Sequence, residues 1–186
     1  RRLMITSEVL LLGNPLLREK SSTVTDFRSQ ETIGQIVMLK QALDEFRKEN
    51  GFGRGISAPQ IGILKRMVAL NLGQGSFVIA NPRIVDRSRA TFTMWDDCMS
   101  FPHLLIRLER SLSMDVVYED ERGIEHEWKG LDQARSELLQ HEIDHLDGIL
   151  AIDHALDERS IIYRSEYVRN REYYDHLVDY SIEPTI

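Results

Sequence analysis

Gln140-His141-Glu142-Ile143-Asp144-His145-Leu146-Asp147-Gly148-Ile149-Leu150 is the stretch on which the reading of this chain turns. It contains H-E-x-x-H. Residues four apart share a helix face, so His141 and His145 can offer two imidazole nitrogens to one metal ion. Glu142 stands beside them, placed to handle the proton of a water that the metal activates. The spacing predicts a helix over residues 132–146, with Ala134, Leu138, His141 and His145 on one face and Gly148 as a stop signal. A nucleophile made from water at neutral pH points to a metallohydrolase.

Two imidazoles do not complete such a site, which takes three protein ligands and leaves one position open. The metzincin continuation needs a third histidine at position 151, where this chain has Ala. A thermolysin-like protease takes a glutamate from a later helix, and Glu166 lies at a tolerable spacing. The other candidate is Cys98, in Asp96-Asp97-Cys98-Met99-Ser100, whose thiolate suits Zn or Fe(II). Spacing alone leaves Glu166 and Cys98 both open. His103, His126, His154 and His176 read as surface or satisfied histidines.

Outward from this stretch, residues 9–12 read as a short strand or extended piece entering the turn at Gly13-Asn14-Pro15. Residues 31–50 read as a helix, N-capped by Ser29, with Ile33, Ile36, Val37, Lys40, Leu43 and Phe46 as its periodic face. Residues 51–62 look like a Gly-rich loop. Residues 67–72 and 77–80 read as strands, the second ended by Asn81-Pro82, with a third starting at Ile84. Alternation returns over residues 106–128, broken by a turn at 120–123. A third helix is expected over residues 157–179, carrying a stripe of Tyr163, Tyr167, Asn170, Tyr174 and Leu177 that reads as packing. Strands grouped in blocks between separated helices indicate an α+β fold.

At 186 residues the chain fits one domain, 1–186, with 157–186 as a C-terminal helix and tail. A net charge of −7 argues against nucleic acid or an anionic membrane as the main partner. The single cysteine forbids an intrachain disulfide and suits a reducing cytoplasm. No apolar run approaches the roughly 20 residues of a membrane span, and the N-terminal residues show no targeting segment.

Three stretches together resemble the peptide deformylase family. The family's H-E-x-D-H is matched by His141 to His145, followed as usual by Leu-x-Gly. Its G-x-G-x-A-A-P-Q is similar to Gly53-Arg54-Gly55-Ile56-Ser57-Ala58-Pro59-Gln60, and its E-G-C-L-S to Asp96-Asp97-Cys98-Met99-Ser100. Order and separations agree, and weaker similarity extends the match over residues 9–155. The resemblance implies antiparallel sheets around a central metal-binding helix, with a C-terminal helix. It implies removal of the formyl group from the N-terminal formyl-methionine of nascent polypeptides, releasing formate. Cys98, His141 and His145 would hold one divalent metal, Fe(II) natively, with Zn, Ni or Co as replacements. Glu142 would be general base and then acid, with the Gln60 amide and the Met99 backbone N–H as oxyanion donors. Arg54, Gly55, Asp97 and Leu138 would border the substrate. Asp144 would orient neighbouring groups, and Arg107 is the best match to an arginine that follows the second motif. The partner implied is an N-formylated peptide, at the ribosome, with a monomer expected and a dimer as the alternative.

Three positions depart from the family pattern. Arg54 stands where an apolar residue is usual, bordering the pocket for the methionine side chain. Asp97 replaces a glycine, adding charge beside the metal cysteine and losing access to positive φ. Asp96 replaces a glutamate. Arg54 and Asp97 raise two alternatives: a formylated substrate other than formyl-methionine, and a deformylase-like protein that binds without turnover.

Overall fold

A computed structural model describes residues 8–182. Residues 1–4, part of the stretch read for a targeting signal, lie outside them. Residues 9–12 form an extended segment, tied by Leu10 N–H to the Gln60 carbonyl at 2.8 Å and by Leu12 N–H to the Ser100 carbonyl at 2.8 Å.

Helix α1 (Gln30–Asn50) starts where Ser29 Oγ accepts from Thr32 N–H at 3.1 Å, as expected of an N-cap. Its buried face is rotated from the expected one: Ile36, Leu39, Ala42 and Leu43 are buried, while Ile33 and Val37 are exposed. Strand β1 (Gly55–Ser57) lies inside the segment expected to be all loop. It pairs with β2 (Met67–Asn71), which pairs with β3 (Ser76–Arg87). β3 does not end at Asn81-Pro82. Asn81 takes φ 49° and the strand runs on through a register shift, absorbing Ile84. β4 (Thr91–Asp96) was not foreseen; it pairs with β5 (Leu104–Ser111). β6 (Met114–Glu119) and β7 (Glu125–Trp128) form the expected hairpin. Helix α2 (Gln133–Leu146) begins at Asp132, whose side chain accepts from Arg135 N–H at 2.9 Å.

The expected C-terminal helix is present but shorter and interrupted. Residues 161–163 form β8 (Ile161–Tyr163) on the edge of β5, followed by α3 (Arg164–Arg169) and α4 (Arg171–Asp175), broken at Asn170. Among the described residues no helix is long and apolar enough to cross a membrane.

The strands make two antiparallel sheets, β1-β2-β3-β6-β7 and β4-β5-β8. β2 is buried on both faces, which explains its unbroken apolar run. Met67 and Ala69 face α1, whereas Val68 and Leu70 join Leu138, Leu139, Ile143 and Leu146 of α2. A third core, with Phe92, Met94, Ile106 and Leu108, lines the smaller sheet and includes Cys98. Helix α2 therefore lies between the sheets, and the residues of the sequence motifs reach it from both.

Candidate active site

His141 and His145, one helical turn apart on α2, turn their Nε2 atoms to within 3.2 Å of each other. Cys98, in the turn after β4, brings Sγ to 3.4 Å from His145 Nε2. All three donor atoms lie within 4.8 Å of one another, and all three residues are buried. A tetrahedral ion with ordinary metal–nitrogen and metal–sulfur distances needs donor separations of roughly 3.3–3.6 Å. The donor set thus fits one divalent ion. Glu166 is not part of it. It sits on α3 and pairs with Arg169 at 3.0 Å, so the thermolysin-like ligand set is not assembled.

Behind the pair runs a buried ionic chain. The Asp96 carboxylate lies 2.9 Å from His141 Nδ1. Arg110 donates to Asp96 at 3.1 Å and to Asp144 at 2.8 Å, and His154 contacts Asp144 at 3.0 Å. Asp96 is deeply buried, which opposes its charge, yet His141 and Arg110 hold its pKa far below the usual carboxylate range. Burial likewise opposes charge on His141, but Asp96 outweighs it and raises that pKa well above ordinary imidazole. The same pull makes Nε2 a stronger donor toward a metal. His145, disfavoured as a cation by burial and by His141, sits well below ordinary imidazole. The arginine that serves the second motif is therefore Arg110. Arg107 faces the other side of β5, bonding Asp157 at 3.2 Å and lying 6.0 Å from the Trp95 ring.

Glu142 is buried, and burial raises its pKa. Its Oε2 accepts from Ser57 Oγ at 2.6 Å. Ser57 stands where the first motif of the family has alanine, and its hydroxyl is a contact that sequence reasoning missed. Its backbone N–H also donates to Gln60 Oε1 at 2.9 Å. That fixes the Gln60 amide with Nε2 toward Ser100 Oγ at 3.1 Å and Cys98 Sγ at 3.6 Å. Gly55 presses on the same carboxylate: a Cβ there would stand 3.2 Å from Glu142 Cγ and Oε1.

These groups open into a cavity of about 230 Å³. Arg54, Gly55, Gln60, Asp97, Cys98, Met99, Leu138, His141 and Glu142 all line it, while His145 sits behind its wall. Asp97 does not crowd the metal cluster. Its carboxylate is bound to Arg164 of α3 at 2.8 Å, and among the described non-glycine residues only Asn81 has positive φ, so the aspartate carries no left-handed strain. Arg54 forms a buried ion pair with Glu137, a residue the sequence reading did not single out.

An H-E-x-x-H helix whose imidazoles meet a buried thiol, with a carboxylate aimed into the adjoining cavity, defines a metallohydrolase of the single-ion kind. The polypeptide deformylase family model matches residues 6–160. A peptide deformylase of Thermotoga neapolitana is 33% identical over 160 residues, covering 84% of this chain and 91% of that protein. One from Heliobacterium modesticaldum is 35% identical over 150 residues, covering 81% and 94%. The crystal structure of peptide deformylase from Thermotoga maritima superposes with a TM-score of 0.74 at 30% identity, covering 82% of this chain and 99% of that one. The chain belongs to the polypeptide deformylase family.

Proposed function

We propose that the chain removes the N-formyl group from the N-terminus of nascent polypeptides, releasing formate, with Cys98, His141 and His145 holding one divalent ion. Fe(II) is the native ion in this reading, and Zn, Ni or Co would fit the same thiolate and imidazole donors. The observation that carries it is the meeting of those three donors with Glu142 at one cavity, in a chain of this family.

When bound, the ion supplies a Lewis acid that makes water a competent nucleophile near neutral pH and polarises the formyl carbonyl. Glu142 takes a proton from the attacking water and delivers it to the departing amine nitrogen, so one carboxylate serves as base and then acid. Ser57 orients that carboxylate through Oε2. The Gln60 side-chain amide, already turned by Ser57 N–H, and the Met99 backbone N–H are the donors for the developing oxyanion. β1 is the edge strand of its sheet, and the peptide adds along that edge beside Gly55. Every group named comes from one chain, so a monomer suffices. The lone cysteine, needed as a thiolate, suits the reducing cytoplasm in which ribosomes supply formylated chains.

Glu142→Gln tests the assignment. Metal content should stay near one per chain while kcat on formyl-Met-Ala-Ser falls by about 10²–10⁴-fold. A variant that keeps the wild-type kcat with metal in place would remove Glu142 from the mechanism.

A further inference from the structure

Two of the cavity's walls carry ion pairs, and one of them is buried. Arg54 enters from the start of β1 and Glu137 from α2; their side chains are 13% and 1% exposed. Arg54 Nη1 also donates to the Ala134 carbonyl at 3.1 Å. Those two bonds use two of the five N–H donors of a guanidinium. The carboxylate is the deeper partner, so the cavity is presented with the guanidinium. Across the opening, Asp97 is bound to Arg164, and Arg164 lies 5.8 Å from the Phe52 ring. Ser181 and Ile182 of the C-terminal segment line the same cavity, beyond the end of the family match at residue 160.

Phe46, Phe52, Trp95, Met99 and Leu138 also line the cavity, but an apolar side chain set against Arg54 would strip water from the guanidinium without replacing its bond, and a thioether is only a weak acceptor. A carboxylate would have to share Arg54 with Glu137 and would sit near Asp96, Asp97 and Glu142, which line the same cavity. A neutral group with a strong acceptor oxygen meets neither objection. We propose that Arg54 and Glu137 form a specificity element that, among N-formyl peptides, favours a first side chain carrying a neutral hydrogen-bond acceptor, a carboxamide or a sulfoxide, and leaves the formyl-methionine of nascent chains as a slower substrate.

This rests on the deformylase reading for its substrate backbone, so the test has two readouts. In the first, kcat/KM for formate release is compared for metal-loaded wild type and Arg54→Leu/Glu137→Leu. The substrates are formyl-Gln-Ala-Ser, formyl-methionine-sulfoxide-Ala-Ser, formyl-Met-Ala-Ser and formyl-norleucine-Ala-Ser. Replacing both partners leaves no lone buried charge. In the second, calorimetry gives affinities of the four product peptides, Gln-Ala-Ser, methionine-sulfoxide-Ala-Ser, Met-Ala-Ser and norleucine-Ala-Ser, which bind without turnover. Wild type should favour glutamine and the sulfoxide by roughly tenfold in both readouts, and the double variant should reverse the order. A wild-type preference for methionine or norleucine in the product affinities, or an unchanged ratio in the double variant, would overturn the proposal. Absence of formate from every substrate would count against the deformylase reading alone, because the product affinities would still decide what the pocket selects. Should the double variant fail to fold, the wild-type ratios decide by themselves.

Discussion

Arg110 carries two carboxylates at once, Asp96 under the metal histidine and Asp144 within the H-E-x-x-H segment. Arg110→Met would leave both without their buried cation, and breaking such a pair costs about 3–5 kcal/mol. Urea denaturation should show that loss, and metal affinity should weaken by about 10–100-fold as Asp96 loses the cation that fixes it against His141. An unchanged urea midpoint would mean that the chain of charges is not held by Arg110. Glu137 makes a second prediction, through pH. Burial pushes its pKa up to about 7 from 4.5, although Arg54 pulls the other way. Arg54, the more exposed partner, is instead held more firmly charged. The folded protein therefore binds that proton more tightly than the unfolded chain does. The contribution to stability is complete below pH 4.5 and is lost as pH rises through about 7. The melting temperature of wild type should fall relative to Glu137→Gln between about pH 5 and 8. A gap between the two that does not change with pH would contradict the shift.

Helix α2 is placed by what surrounds its ends. Gly148, just past its last turn, has φ +71°, and a Cβ there would stand 2.3 Å from the Arg18 carbonyl oxygen. Gly13 has φ +104° with nothing within 4 Å. Gly148→Ala should therefore cost about 3 kcal/mol or more, and Gly13→Ala only the roughly 1–2 kcal/mol of a left-handed alanine. Equal urea midpoints for the two would mean that the Arg18 contact gives way freely. Helix α1 with its cap at Ser29, helix α2, and the hairpin over 114–128 were legible because their signals are local. What was missed depends on distant partners. β8 exists only because Leu104 to Ile106 offer an edge to Ile161 to Tyr163, and that pairing delays the start of the expected helix to Arg164. β1 is three residues in a Gly-rich run, made a strand by β2. Period two alone points away from Arg107, the residue matched to the family's arginine, and toward Arg110. Ile106, Leu108 and Arg110 share the buried face of β5, and Arg107 does not.

Across the whole molecule the site is assembled from separate parts: Cys98 from the smaller sheet, the histidines and Glu142 from α2, and Ser57 and Gln60 from the end of β1 and the turn after it. The three motifs made the metal donors, Glu142 and Gln60 legible, since each is carried by a short pattern. The Arg54–Glu137 pair spans 83 positions and has no pattern of its own, so only the fold brings it into view. An ion shared between α2 and the smaller sheet also ties the two together. Its removal should lower the melting temperature, because a ligand bound only by the folded state stabilises it. The most direct measurement is formate release from N-formyl peptides by one preparation, taken as loaded with Fe(II) or Ni, after chelation, and after reloading. The site described here predicts that release stops on chelation and returns with the ion, in proportion to its occupancy. Release that persists undiminished in protein stripped of metal would contradict it.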